Sequence, residues 1–101
     1  MTDREIVAVV LDDGCLTLEQ VAAACAVETD WVVRRVAEGF FPATGASSAD
    51  WRFTSAALVR ARRMHAIERD FDAVPELAAL VADMLEELDE LRARLRREGL
   101  A

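Results

Sequence analysis

The residues able to do chemistry in this sequence are few: one histidine, His65, two cysteines, Cys15 and Cys25, and no tyrosine. A catalytic nucleophile needs a base within hydrogen-bond reach, and a metal site needs several ligands at short, repeated spacing. The cysteines form no CxxC pair and have no neighbouring histidine, so they read as small buried or half-buried hydrophobes. His65 has no second histidine and no cysteine or carboxylate at metal spacing, and it reads as structural. No glycine-rich loop is available to cradle a phosphate. Acids are abundant, but no pair of them stands isolated in an apolar context that would push their pKa values apart. These residues describe a binding protein that uses neither metal nor cofactor, and not an enzyme.

Charge narrows the partner. Twelve basic residues, all arginine, face nineteen acids, for a net charge of −7 in 101 residues. The first fifty residues carry most of this excess, with three arginines against nine acids. Double-stranded DNA selects for a basic footprint, which is missing here. An acidic protein of this size is better suited to a basic protein surface. No apolar run approaches the roughly 20 residues of a membrane-spanning helix. The start, Met1-Thr2-Asp3-Arg4-Glu5, is acidic where a signal peptide would be basic, so a cytoplasmic location and no membrane partner are expected.

Patterning along the chain indicates a mainly α fold. Glu5 to Leu11 is rich in β-branched residues and ends at Asp12-Asp13-Gly14, which predicts a short strand. Thr17-Leu18-Glu19-Gln20 is a capping box, and Leu18, Val21, Ala22 and Cys25 follow at helical spacing to about Ala26. Thr29 is placed to cap a second helix from about Asp30 to Glu38, with Val32, Val33, Val36 and Phe40 on its apolar face. Gly39 is suited to the positive φ of a helix end. Two short helices joined by a tight turn make a helix-turn-helix pattern. Phe41 to Asp50 reads as a loop, and Trp51-Arg52-Phe53 as a very short strand that pairs with the first. Thr54 caps a third helix, to about Asp70, with Ala57, Ala61, Met64, Ile67 and Phe71 as its stripe.

The last helix is the longest. Asp72 is placed to cap it, and Pro75 falls in its first turn, where a missing N–H costs nothing. Leu77, Val81, Met84, Leu88, Leu91 and Leu95 then follow the 4-3 alternation of a coiled coil. Roughly 26 residues give a rod of about 39 Å, longer than so small a domain can cover. The expected division is therefore a winged helix-turn-helix domain over 1–72 and a leucine-rich dimerisation helix over 73–101. The six residues of the alternation form the seam of a homodimer.

The order of elements resembles that of MerR-type winged helix-turn-helix proteins, and most closely the chaperone-modulator (CbpM) family. The resemblance covers nearly the whole chain. It is carried by Leu18-Glu19-Gln20-Val21, Gly39-Phe40-Phe41, Trp51-Arg52-Phe53, Asp70-Phe71-Asp72-Ala73-Val74 and Leu85-Glu86-Glu87-Leu88-Asp89-Glu90-Leu91-Arg92. It implies a protein that binds the J-domain of a DnaJ-like co-chaperone, CbpA. Binding would block stimulation of the DnaK-type chaperone and restrain the co-chaperone's own DNA binding.

A J-domain presents a basic helix, which an acidic surface could receive. The acids near the junction of the last two helices, Asp70, Asp72 and Glu76, with Asp83, Glu86 and Glu87 further along, are the expected contact. The second helix, with Trp31 as an aromatic anchor ringed by Glu28, Asp30 and Glu38, is the other candidate; Trp31 reads equally well as packing against the helix pair or the wing. The competing function is a DNA-binding MerR-like regulator of stress genes. The net charge of Asp30 to Gly39 is zero, and the loop from Pro42 to Trp51 carries only Asp50, which disfavours direct nucleic-acid binding.

Overall fold

A computed structural model describes residues 14–99. The expected strand at Glu5 to Leu11 lies outside the described residues. The described residues first form β1 (Leu16–Thr17), α1 (Leu18–Cys25) and α2 (Thr29–Ala37). A 3-10 turn (Ser48–Asp50), β2 (Arg52–Phe53), α3 (Ser55–Phe71) and α4 (Pro75–Arg97) follow. The fold is mainly helical, a winged helix-turn-helix with a two-stranded antiparallel sheet and a long last helix.

Among the described residues β2 pairs with β1, with Leu16 opposite Phe53 and Thr17 opposite Arg52. Leu16 sends its side chain into the core, and the next residue already caps a helix, so the strand is two residues long and has no periodicity to read. Thr44 bridges the other side of Arg52 and extends this small wing. The wing turns tightly at Gly45, whose φ is +127°. A Cβ there would lie 2.7 Å from the Asp50 carbonyl oxygen, so only glycine fits.

Local chemistry sets the helix ends. The Thr17 hydroxyl accepts from the Gln20 amide at 3.1 Å, and the Gln20 side chain accepts from the Thr17 amide at 2.8 Å, which completes the capping box. All four residues of the α1 stripe, Leu18, Val21, Ala22 and Cys25, are buried. Ala26 ends α1 in the left-handed region, and the Val27 amide donates to the Ala22 carbonyl. Helix α2 begins one residue earlier than expected: Glu28 is its cap, without a side-chain bond, and Thr29 is its first residue. Gly39 (φ +84°) closes α2, with the Phe40 amide donating to the Arg35 carbonyl. Thr54 caps α3 by accepting from the Ala57 amide at 3.0 Å.

Asp72 does not cap the last helix. It terminates α3 in the left-handed conformation (φ +51°), and Val74 precedes Pro75 at the start of α4. Aspartate suits both roles, because its short polar side chain tolerates positive φ as well as capping.

One core joins all these elements. Phe53, Leu16, Met64, Val21 and Val32 are its largest fully buried side chains. Trp51 packs edge-on against Phe53, and Phe53 reaches Phe41, which ties the wing to the helices through aromatic rings. Helix α4 contributes Ala78, Ala79 and Ala82 to the same core, small residues that let it lie close against α3. The α3 stripe enters the core at Ala57, Ala61 and Met64, with Ile67 half-buried, but Phe71 is 77% exposed. The helical period carries on there past the point where the other described elements cover it. Cys25 is buried, but Cys15 is exposed, against the expectation that both would be covered. No helix among the described residues is long and apolar enough to cross a membrane.

Candidate functional site: a partner-binding surface

The second helix of a helix-turn-helix is the one that reads DNA when the motif does so. Here its largest side chains point the other way. Trp31 is 9% exposed and Arg35 8%. Arg35 donates to both oxygens of Glu68 on α3, at 2.7 and 3.2 Å, and to Glu38 at 2.9 Å. The Trp31 indole N–H donates to the same Glu68 carboxylate at 3.4 Å. The Arg35 guanidinium lies 5.0 Å from the centre of the Trp31 ring, and His65 meets that ring edge-on at 5.6 Å. Hydrogen bonding to Glu68 holds the Arg35 pKa above its ordinary value. Of the two readings of Trp31, its burial against Glu68, Arg35 and His65 fits packing inside the fold.

What α2 leaves on the surface is Glu28, Asp30, Arg34, Ala37 and Glu38. Arg34 folds back so that its Nε donates to the Asp30 carbonyl at 3.4 Å. The wing adds Asp50 and Arg52, both exposed, and Arg52 bonds the Trp51 carbonyl. The exposed face of the motif therefore offers few cations to a phosphate backbone.

The acids expected at a partner contact fall into two groups. Asp83 and Glu86 both accept from Arg60 of α3, at 2.7 and 3.0 Å, and Arg60 also donates to the Phe40 carbonyl. Asp89 accepts from Arg63. These pairs clamp α4 to α3. Asp70 accepts from the adjacent Arg69 at 2.9 Å, which holds its carboxyl below the usual range. Asp72, Glu76 and Glu87 are exposed and make no ion pair among the described residues. The expected seam residues lie outward: Leu77, Met84, Leu88, Leu91 and Leu95 are all exposed, and Val81 is half-buried. Val74 and Leu80 join them. No group of acids, histidine and cysteines among the described residues is arranged to hold a metal ion.

Sequence reasoning did not find Glu68, Arg60 or Arg63, which organise the whole helix arrangement. Glu68 and Arg35 are separated by 33 positions, and neither stands out in its local pattern.

Paired helices, a short wing and a long trailing helix define a helix-turn-helix protein of the regulatory type. Residues 16–97 match the model of the MerR HTH family regulatory proteins, and the chain belongs to that family. No curated protein and no solved structure gives a match.

Proposed function

We propose that the protein regulates by binding another protein, and that its partner is the J-domain of a DnaJ-like co-chaperone, as in the chaperone modulators it resembles. Binding would deny the J-domain to its DnaK-type chaperone. The observation that carries this reading is the fate of the α2 cations. Arg35 is engaged by Glu68 inside the fold, and the exposed face of α2 keeps Arg34 among Glu28, Asp30 and Glu38. Such a face repels phosphates and complements a basic helix. A DNA reader needs several phosphates neutralised to gain affinity from counterion release.

The expected contact acids that remain available for a basic partner are Asp72 and Glu76 at the junction and Glu87 further along. Asp83 and Glu86 already serve Arg60, so charge reversal there would loosen the α3–α4 clamp as well as any partner contact.

The test sets titration calorimetry with a purified J-domain beside a gel shift with duplex DNA, each at low and high salt. Binding to the J-domain that weakens with salt, with no DNA shift at low salt, supports the reading. A DNA shift without J-domain binding overturns it. The Asp72→Asn, Glu76→Arg variant then locates the surface: a slower association rate with an unchanged circular dichroism spectrum assigns the junction. Full binding by this variant moves the contact to the α2 face.

A further inference from the structure

The junction of α3 and α4 holds an apolar groove of about 330 Å³, lined by Ile67, Phe71, Ala73, Leu77 and Val81. Ile67 is half-buried and packs on the core, whereas Phe71, one turn further along α3, is largely exposed. We propose that this groove seats an apolar side chain from the partner's basic helix, while the acids beside it take up that helix's cations. The proposal rests on the J-domain reading and deepens it, by naming what holds the partner once charge has brought it in.

The turn that shapes the groove is built in advance. Asp72 ends α3 at φ +51°, and Val74 is extended (φ −70°, ψ 154°), the conformation that a following proline imposes. The Val74 carbonyl accepts from the Leu77 and Ala78 amides, both at 3.1 Å, which fastens the turn to α4. Ala78, Ala79 and Ala82 anchor that end of α4 in the core. A groove fixed in this way loses little freedom when it is filled.

Charge selects the occupant. The exposed charged residues between Ile67 and Val81 are Arg69, Asp70, Asp72 and Glu76, three acids against one cation. Arg69 is matched to Asp70 at 2.9 Å, so Asp72 and Glu76 set the sign of the surroundings. An anion is repelled there, and an uncharged apolar ligand gains nothing from the acids. A helix that carries an apolar residue among lysines and arginines satisfies both features. The two parts act at different moments. The acids speed the encounter and lose force with salt, whereas the buried anchor slows escape at any salt.

Two measurements on the full chain with a purified J-domain test this. In the first, association and dissociation rates are followed at low and high salt. Phe71→Ala should keep the association rate within about twofold and raise the dissociation rate about tenfold at both salts. Val59→Ala, which trims an exposed apolar residue roughly 18 Å back along α3, should change neither. An unchanged dissociation rate in Phe71→Ala overturns the groove and leaves the J-domain reading standing. A wild-type chain that does not bind the J-domain overturns both. Faster dissociation together with an altered sedimentation coefficient of the free variant assigns the groove to a second copy and likewise overturns the proposal. The second measurement needs no change to the groove. The chain has two isoleucines, Ile6 and Ile67, so an Ile6→Val chain with labelled isoleucine methyl groups gives one isoleucine signal. The J-domain should shift that Ile67 signal. A signal that stays in place at saturation refutes the proposal.

Discussion

Arg35 and Glu68 meet in a two-pronged ion pair between α2 and α3, with contacts of 2.7 and 3.2 Å and side chains only 10% and 14% exposed. A fork-shaped guanidinium gains both strength and orientation from two parallel bonds to one carboxylate. With Trp31 donating to the same carboxylate, the pair sets the angle between the second helix of the motif and its support.

Removing one partner of this pair should cost more than removing both. Glu68→Gln leaves the Arg35 charge half-satisfied inside the fold and should destabilise by about 2–3 kcal/mol. For a domain of this size that is a fall of roughly 10–20 °C in Tm. The double variant Arg35→Met, Glu68→Leu should recover at least half of the loss, since a buried pair competes poorly with apolar packing of similar volume. Thermal melts of the three variants against wild type measure both effects, and additive losses would contradict the argument.

The two glycines at turns should differ in their tolerance of a methyl group. Gly39→Ala meets no atom within 4 Å and loses only the ease of positive φ, about 1 kcal/mol. Gly45→Ala meets the Asp50 carbonyl oxygen at 2.7 Å as well, so the wing must open; about 2–3 kcal/mol is expected. Trp51 fluorescence should report the second change and not the first, because Trp51 packs on Phe53 beside the wing while Gly39 lies at the end of α2.

Ala26→Gly should stabilise. Ala26 holds φ +57° at the end of α1, a conformation that costs alanine roughly 1 kcal/mol and glycine almost nothing. A rise in denaturation midpoint with an unchanged slope would show that the gain arises in the folded state at this one position.

The cysteines should react at separate rates. Burial pushes the Cys25 thiol up to about 11, so at pH 8 it is protonated as well as enclosed. Cys15 is exposed. A thiol reagent should modify one cysteine per chain quickly under native conditions and the second only on unfolding. Fast modification of both would show that α1 opens readily from the core.

Features governed by near neighbours in the chain are legible in the sequence, and those set at a distance are not. The Thr17–Gln20 capping box, the α1 stripe, Gly39 and the Thr54 cap involve groups within a few positions of one another, and each is present. The pairing of β2 with β1 escapes a reading by pattern because a two-residue strand has no alternation to detect. Asp72 points to the wrong helix because the residues that favour a start also tolerate a left-handed stop. Phe71 falls on the core stripe because the helical period does not record where the rest of the domain ends. The candidate surface is legible as net charge but not as available charge: Arg60 and Arg63 lie more than twenty positions from the acids they engage.

The Arg35–Glu68 staple also separates the scaffold of this motif from its recognition surface. The side chains that fix α2 in place point inward, while Glu28, Asp30 and Ala37 outside them bear no packing load. Those positions are free to drift in evolution without unsettling the fold. Exchanging them for lysines would invert the electrostatics of the face while the helix stayed where it is. A shift of clientele from nucleic acid to protein, or back again, would then need only a few surface substitutions on an unchanged frame.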